Sequence, residues 1–417
     1  MKPIVIIGGG IAGLTAAWLL SRRYRVILLE REPRLGGHTH THDIPDPTAP
    51  HGRVQLDTGF IVHNDRTYPL LVRLFDELGI TRRDSDMSFA VTCRRPDFEY
   101  SSRSAGGFFA QRGHLLRPRH YRLLFEILRF NREAPRLLRR PGSEHVRLDD
   151  FLDAHNFSAD FRERFLFPMA SAVWSAATPT LADFPATTLI RFFANHGMLS
   201  VRDNPIWRIV EGGSSAYIPA LLSSSAFEAR TSAAPVRVSR HAEGVSIAMA
   251  DGGAIEADQV VFACHGDQVL PLLSDATPDE RDVLSCFTTS TNDTWLHTDS
   301  RLLPRRPAAR ASWNVLIGER DEACLTYDLN RLQRLSTSRQ YCVTLNPPTT
   351  IAPDRVLARM TYTHPLFTHA AVAAQTRWAS ISGHTRTHFC GAYWFYGFHE
   401  DGVRSAVRVA DSLGVTW

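Results

Sequence analysis

The sequence PIVIIGGGIAGLTAAWLLSRRYRVILLEREPRLGGH occupies residues 3–38 and predicts how the whole chain folds. Branched apolar residues at 4–7 indicate a short buried strand, and glycines at 8, 10 and 13 follow at the spacing G-x-G-x-x-G. An apolar pattern of helical period comes next, and then a second apolar run at 26–29. This order predicts a strand, a tight turn, a helix and a parallel strand, as in a doubly wound α/β sheet.

Each glycine of this turn has a physical reason. Gly8 permits the tight turn, Gly10 lets the backbone approach a pyrophosphate, and Gly13 lets the helix pack close to the strand. The N-terminus of the helix offers unpaired N–H groups to phosphates. Glu30 ends the second strand, where its carboxylate can accept hydrogen bonds from ribose hydroxyls and would repel a 2′-phosphate. The stretch therefore predicts a bound dinucleotide other than NADP, and the alternative is an ordinary glycine-rich turn.

Length and composition limit the classes of protein to consider. The chain has 417 residues, which favours two or three domains, and its net charge of +4 gives no case for nucleic-acid binding. Lys2 is the only lysine, so the body of the chain has no lysine base or nucleophile. The six cysteines lack C-x-x-C spacing, and the alternation of His38, His40 and His42 alone is a weak ligand pattern. We expect a cytoplasmic protein with reduced thiols, no metal site and no membrane-spanning helix.

The rest of the chain predicts two domains that alternate along the sequence. The fold class is α/β, with a discontinuous Rossmann-type domain and a second, mixed α+β substrate domain. We assign 1–78, 200–265 and 385–417 to the Rossmann-type domain, because the strand predicted from 258 heads back into the first sheet. We assign 79–199 and 266–384 to the substrate domain and expect a mainly helical insertion in its first part.

Residues 108–140 form a basic amphipathic segment. Nine arginines lie in it against two glutamates, and apolar residues at 123–130 give a stripe of helical period. A helix of this kind can lie on an anionic membrane surface, or it can face the core and leave its basic side in water. Both interpretations stay open, and the first predicts peripheral contact with the inner face of a membrane.

The C-terminal region predicts a second ligand-binding turn. A strand is expected at 387–393, followed by a loop rich in glycine, aromatic and acidic residues and by a closing helix at 403–413. Asp401 and Gly402 lie at the start of that helix, whose N-terminus can receive a polar ligand. The alternative is an ordinary capped terminal helix.

Together these blocks resemble the flavin-containing amine oxidase superfamily, which includes protoporphyrinogen oxidases and phytoene desaturases. The shared features are the N-terminal turn with Glu30, Gly36-Gly37, Asp57-Thr58-Gly59, Glu211-Gly212-Gly213-Ser214 and the C-terminal glycine motif. Within that superfamily, one subgroup of bacterial FAD-binding oxidoreductases is similar to the oxidase-like N-terminal half of plant cyclopropane fatty acid synthases. The motifs that look like this subgroup are GGHTHT, DTGFIVHNDRTYP, RFFANHG, YDLNRLQ, VTLNP and GAYWFYGFHEDG.

The resemblance implies an amine-oxidase-like fold whose Rossmann-type domain binds FAD. Two departures weaken an assignment as an amine oxidase: no lysine is available to hold a water near the flavin, and Ala392 stands where many amine oxidases carry glutamate. Val236 is expected beside the adenine. Carried over by position, the FAD contacts are Gly8, Gly10, Ile11, Ala12, Gly13, Glu30, Arg31, Gly36, Gly37, His38, Thr39, Thr58, Gly59, Phe60, Ile61, Val236, Gly391, Ala392, Asp401, Gly402 and Val403.

Two groups of residues are candidates for the chemistry itself. His399 and Glu400 are predicted to transfer a proton, because they lie in the loop before the closing helix, whose N-terminus would keep a carboxylate ionised. The alternative is that both only hold the loop and the flavin. Tyr68, Trp394 and Tyr396 are predicted to wall the substrate pocket, and they are equally compatible with core packing.

The function that the resemblance implies is that of an FAD-dependent oxidoreductase that desaturates a modified fatty acyl chain of a lipid. Relatives implied by the resemblance often accompany lipid methyltransferases, so such an enzyme is an expected partner. Three alternatives remain: an amine or porphyrinogen oxidase acting on a small soluble substrate, a flavin-dependent isomerase, and a non-catalytic FAD-binding partner of a lipid methyltransferase. Only one dinucleotide turn is visible, which favours oxygen, a quinone or a protein over NADPH as the redox partner.

Overall fold

The structure is a computed structural model that describes residues 2–175, 178–200, 204–318, 324–348 and 351–417. The strands are β1 (Ile4–Ile7), β2 (Val26–Leu29), β3 (Thr41–Pro45), β4 (Arg53–Asp57), β5 (His63–Asn64), β6 (Arg82–Asp84), β7 (Phe89–Cys93), β8 (Phe98–Ser101), β9 (Trp207–Val210), β10 (Glu228–Arg230), β11 (Pro235–His241), β12 (Gly244–Met249), β13 (Ala254–Ala257), β14 (Gln259–Phe262), β15 (Thr288–His297), β16 (Trp313–Ile317), β17 (Cys324–Asp328), β18 (Cys342–Leu345), β19 (Val356–Leu366) and β20 (Thr387–Phe389).

The helices connect these strands and cover the sheets. They are α1 (Ile11–Leu20), α2 (Pro69–Glu77), α3 (Ala105–Phe108), α4 (Pro118–Leu137), α5 (Leu148–Ala154), α6 (Ala159–Phe161), α7 (Phe167–Trp174), α8 (Thr178–Ala182), α9 (Ala186–Asn195), α10 (Tyr217–Ser223), α11 (Val269–Leu272), α12 (Pro278–Leu284), α13 (Leu329–Leu332), α14 (His369–Gln375), α15 (Trp378–Ile381) and α16 (His399–Ser412).

The first sheet is parallel and has the strand order β10-β2-β1-β14-β20. Its central strands β1 and β2 are buried along their whole length, which explains their continuous apolar runs. On one side Ile4 and Ile6 pack with α1 and α16. On the other side Val5 and Ile7 pack with the antiparallel sheet β11-β12-β13. The sheet is therefore the middle layer of three.

The second large sheet has seven strands in the order β19-β15-β18-β17-β16-β7-β8. All its neighbouring pairs are antiparallel except β16 and β7, which are parallel. The hairpin of β7 and β8 lies inside the segment that the sequence predicts to be mainly helical. The local pattern does not reveal these strands, because β7 is fixed by pairing with β16, more than two hundred residues later.

Helices α4 to α9 cover one face of this second sheet. Val91, Val315 and Leu325 of the sheet belong to one apolar cluster with Phe130 of α4 and Phe161 of α6. Helix α4 buries Leu123, Phe130 and Leu137, and its opposite side is exposed. Within the described residues, no helix combines the length and the apolar character needed to cross a membrane.

Candidate active site

One large cavity begins at the glycine turn after β1 and extends between the parallel sheet, the seven-stranded sheet and helices α3, α4, α7 and α9. Its volume is about 1890 Å³, which exceeds the few hundred to one thousand cubic ångströms of a typical single-ligand pocket. The cavity therefore has room for a dinucleotide and a second molecule.

The glycine turn forms one end of this cavity. Gly8 has a φ of +114°, and a β-carbon on Gly13 would lie 1.9 Å from the Gly8 carbonyl oxygen, so both positions require glycine. A β-carbon on Gly10 would meet no atom within 4 Å, because this residue faces the open cavity. Among the described residues no side chain caps α1, so its first N–H groups point at that space unpaired. This is the arrangement that holds a pyrophosphate.

Glu30 joins the glycine turn to the second strand. Its Oε2 accepts a hydrogen bond of 2.7 Å from the Gly9 N–H, and its Oε1 accepts one of 2.9 Å from the Glu32 N–H. The side chain lines the cavity beside Gly9 and Gly10, so its carboxylate lies where ribose hydroxyls would be bound.

Most of the residues predicted to contact FAD line this cavity, although they come from distant parts of the chain. These are Gly8, Gly10, Ile11, Ala12, Glu30, Arg31, Gly36, Gly37, His38, Gly59, Phe60, Ile61, Gly391 and Ala392. Seven others lie behind the wall or outside it: Gly13, Thr39, Thr58, Val236, Asp401, Gly402 and Val403.

For three of these seven positions the structure shows a physical reason. Val236 is 52% exposed, and the neighbouring Ala234 and Pro235 line the cavity in its place. Asp401 accepts hydrogen bonds from the Tyr396 and Phe398 N–H groups and so holds the loop before α16. Gly402 lets α16 approach α1, since a β-carbon there would lie 2.7 Å from a side-chain carbon of Ile11. We therefore correct Asp401 and Gly402 from direct contacts to supports of the wall, and Val236 to an exposed position outside the cavity.

Asp57 explains why two of the quoted motifs occur together. Its Oδ1 accepts hydrogen bonds from the Thr41 hydroxyl at 2.6 Å and from the Ser214 N–H at 2.9 Å. Burial raises the pKa of Asp57 to about 6, and these hydrogen bonds oppose the shift. The carboxyl thus ties the Asp57-Thr58-Gly59 segment to the turn at 211–214, behind the cavity wall.

Three histidines from separate elements meet in the wall of the cavity. The His38 ring centroid lies 5.6 Å from that of His265 and 5.3 Å from that of His364. Burial lowers the pKa of all three rings, so they are neutral at physiological pH. His38 bonds the Thr363 backbone with one ring nitrogen, and its Nε2 has no hydrogen-bond partner among the described residues. An unpaired buried nitrogen of this kind fits a site that a polar ligand completes.

His265 and His364 are functional candidates that sequence reasoning missed. His265 comes three residues after the end of β14, and His364 lies on β19, far away in sequence. Their one visible hint is that His265 comes just after the strand expected to return to the first sheet. His364 Nδ1 accepts a hydrogen bond from the Asn292 amide at 2.9 Å, so its other nitrogen carries the proton.

The two predicted proton-transfer residues lie in different places, because α16 begins at His399 and not at 403. His399 lines the cavity, stacks on Phe60 at 3.7 Å between ring centroids, and shares a hydrogen bond of 2.9 Å with the Thr39 hydroxyl. Burial lowers the pKa of His399 to about 3, which keeps the ring neutral. Glu400 points away from the cavity and accepts hydrogen bonds from the Leu70 and Leu71 N–H groups at the start of α2.

This geometry makes Glu400 a helix cap. Replacing it, in Glu400→Gln, is expected to lower the free energy of unfolding by about 1 kcal/mol, because a neutral amide is a weaker partner for the positive end of α2. Turnover should change by less than about twofold, whereas loss of a catalytic base costs about 100-fold or more. Denaturant unfolding and initial rates measure the two effects. Asp411→Asn, at an exposed carboxylate of the same helix, is the control.

Of the three aromatic residues predicted to wall the substrate pocket, two line the cavity and one lies in the core. Tyr68 and Tyr396 line the cavity, as expected of pocket walls. Trp394 is 1% exposed and packs on Phe287 with ring centroids 4.8 Å apart. The short helical turn at 392–394 directs the Trp394 ring into the core, so we correct it from a pocket residue to a core residue.

The part of the cavity that is lined by residues between 105 and 198 is largely apolar. Among the described lining residues between 105 and 198, none carries a formal charge at neutral pH. They are Ala105, Phe108, Phe109, Leu124, Ile127, Leu128, Asn131, Phe165, Met169, Ala172, Val173, Trp174, Ser175, Phe192, His196, Gly197 and Met198. Burial lowers the pKa of His196 to about 4, which keeps this ring neutral as well. We call this part of the cavity the apolar arm.

Comparison with known proteins agrees with this geometry. Residues 11–347 match the family model described as flavin containing amine oxidoreductase. The chain belongs to this family. It is an FAD-dependent oxidoreductase with the amine oxidase fold. The residues that fit the cofactor are those of the glycine turn, Glu30 and His38, all of which line or support the cavity. Among curated protein sequences none matches significantly.

Solved structures show the same fold at low sequence identity. Putrescine oxidase bound to putrescine has a TM-score of 0.69 at 14% identity, covering 99% of this chain and 98% of its own. A CLA-producing fatty acid isomerase from P. acnes has a TM-score of 0.68 at 15% identity, covering 97% of both chains. Cyclohexylamine oxidase from Brevibacterium oxydans IH-35A has a TM-score of 0.69 at 14% identity, covering 99% of both chains.

Proposed function

We propose that this protein dehydrogenates the acyl chain of a lipid. The observation that carries the proposal is the apolar arm, a space walled by aromatic and aliphatic side chains that continues from the cofactor end of the cavity. A fatty acyl chain fills such a space without leaving a buried charge unpaired, whereas a protonated amine would need a carboxylate or other partner there. The likeness in fold to a CLA-producing fatty acid isomerase supports this choice of substrate.

Desaturation converts a C–C single bond to a double bond and removes two hydrogens. One leaves as a hydride with two electrons and the other leaves as a proton. The bound flavin supplies the hydride acceptor, and an oxidant such as oxygen or a quinone must take up the two electrons afterwards. The chain itself has to orient the acyl carbons, exclude water and accept the proton.

The neutral histidines of the wall are the groups that we propose for the proton. His399 reaches the cavity from α16, and its ring is fixed by Phe60 and Thr39. His38 also lines this space, and its buried Nε2 has no hydrogen-bond partner among the described residues. Tyr68 and Tyr396 stand in the wall, where they can orient the chain. Glu400 is not among these groups, because its carboxylate is bound at the start of α2.

The test mixes the purified flavoprotein with phospholipids in the absence of oxygen. The lipids carry cis-unsaturated, cyclopropane or methyl-branched chains, and free polyamines and porphyrinogens serve as comparison substrates. We expect the absorbance of the oxidised flavin to fall with one lipid class, and mass spectrometry to show that its chain has lost two hydrogens.

Other outcomes identify the alternatives. Flavin reduction by amines or porphyrinogens but by no lipid would contradict the proposal and favour an oxidase for small soluble substrates. A lipid whose double bond moves without a change in mass would indicate an isomerase. A flavin that none of these compounds reduces or uses would leave the role of a non-catalytic partner.

A further inference from the structure

The outer side of α4 and the turn before it expose apolar side chains. The exposed fractions are 50% for Leu115, 88% for Leu116, 37% for Tyr121, 66% for Phe125 and 44% for Leu128. The other side of the helix is buried in the core, so these residues are not needed for packing within the chain. We call these five residues the α4 patch.

A basic rim surrounds the α4 patch. Eight of the nine arginines between 112 and 140 are exposed. Four of the nine arginines have acidic partners: Glu126 and Glu133 pair with Arg122, Arg129 and Arg132, and Asp160 pairs with Arg119. The others have no acidic partner among the described residues; they are Arg112, Arg117, Arg136, Arg139 and Arg140. The surface thus presents apolar side chains inside a field of positive charge.

The α4 patch is continuous with the apolar arm. Leu128 belongs to both, because it lines the cavity and is 44% exposed. Leu124 lies one helical turn before it and also lines the cavity. Ile206 also lines the cavity and is 61% exposed. The cavity therefore reaches the surface beside exposed apolar residues.

We propose that the α4 patch docks on an anionic phospholipid bilayer. Leu116 and Phe125 enter the acyl layer, and the arginines remain at the level of the phosphates. The edge of the cavity at Leu128 then faces the lipid, so an acyl chain can enter the apolar arm without crossing water. The delivery of substrate rests on the proposed function, whereas the docking itself does not.

The charge of the rim selects this partner over a second copy of the chain. A symmetric dimer through the α4 patch would bring two sets of arginines together, and like charges placed face to face oppose association. A bilayer that contains phosphatidylglycerol offers negative charge and apolar depth on one surface. Both features of the patch are then matched at once.

The apolar contribution is tested with the full-length flavoprotein and vesicles of phosphatidylcholine, with or without phosphatidylglycerol. Flotation should recover the protein with the anionic vesicles. Leu116→Glu and Phe125→Glu should each weaken this binding at least about tenfold, because a buried apolar group is replaced by a charge that the surface repels. Leu222→Glu is the matched control, since Leu222 is 36% exposed on α10, outside the patch. It should bind as the parent does.

The basic rim is tested separately. Arg112→Glu and Arg117→Glu should each weaken binding about fivefold or more and reduce its dependence on salt. Arg281→Glu makes the same charge change at an exposed arginine of α12, and it should have little effect on affinity. Flavin absorbance and thermal unfolding verify that every variant is folded and loaded.

Some results would overturn the docking proposal. Equal flotation of the parent and the Leu116→Glu and Phe125→Glu variants would do so, and so would a dimer in light scattering that either substitution dissociates. The docking proposal and the proposed function can be contradicted separately. If the protein binds vesicles but oxidises no lipid, the docking stands and the function is wrong. If it oxidises lipid in detergent but never binds vesicles, the function stands and the docking is wrong.

Discussion

Replacing Gly13 by alanine should abolish flavin binding and destabilise the chain. The added methyl group would lie 1.9 Å from the Gly8 carbonyl oxygen, so α1 must move away from β1 or the turn must open. Overpacking of this kind costs about 1–3 kcal/mol or more where side chains can adjust. Here the obstacle is backbone, and we expect a loss of at least about 3 kcal/mol in the free energy of unfolding. Denaturant unfolding of the flavin-free protein and titration with FAD measure both effects.

Gly10→Ala is the matched substitution in the same turn. Gly10 has a φ of −75°, which alanine adopts without strain, and the methyl group would enter open space. The flavin-free variant should be as stable as the parent. FAD affinity should nevertheless fall about 10-fold to 100-fold, because the methyl group keeps the pyrophosphate from the N–H groups of α1. Unchanged FAD affinity in this variant would contradict the placement of the dinucleotide.

Val173→Trp should block turnover of long acyl chains. Val173 lies on α7 and lines the apolar arm, so a larger ring there fills the space assigned to the distal part of the chain. Burial of each methylene contributes about 0.8 kcal/mol, and exclusion of about four methylenes therefore lowers kcat/KM roughly 200-fold. Initial rates with lipids of increasing chain length measure this loss.

The effect should depend on chain length and on the size of the side chain. Short-chain lipids should keep most of their turnover in Val173→Trp, and the flavin content should stay the same. Val173→Ala enlarges the arm at the same position and should leave long chains active. An equal loss for short and long chains, or no loss at all, would place the substrate elsewhere.

The sequence predicts the cofactor end of the site because its determinants are local. The turn of Gly8, Gly10 and Gly13 needs glycine for reasons that lie within a few residues. The spacing G-x-G-x-x-G is therefore enough to predict it. The same holds for Glu30, whose carboxylate bonds the Gly9 N–H of the turn that it follows. The function of such residues can be predicted from their spacing in the sequence.

The part of the cavity wall that the three histidines form depends on contacts between distant segments, and the sequence does not reveal it. His38, His265 and His364 meet only after two sheets have formed, and no spacing links them. Glu400 is close in sequence to the flavin-side loop, but the first turn of α16 directs its carboxylate to α2. The direction in which a side chain points depends on where the helix begins. The sequence predicts that α16 begins at 403, whereas in the structure it begins at 399.

For the basic segment at 108–140, too, the sequence predicts the local structure but not the contacts that it makes. Its composition predicts an amphipathic helix, and α4 is one. The sequence leaves open whether the apolar stripe meets the core or a membrane, because both need the same pattern. In the structure the helix has apolar residues on both sides: Phe130 packs in the core, and Phe125 is exposed. This second apolar side is what the docking proposal uses.

The most direct test of the account is a crystal structure of the flavoprotein with a bound long-chain fatty acid. The account predicts that the chain lies in the apolar arm, between α4 and α7, with its reacting carbons at the flavin and close to His38 and His399. A fatty acid bound only on the outer surface, or an apolar arm filled by rearranged side chains, would contradict it.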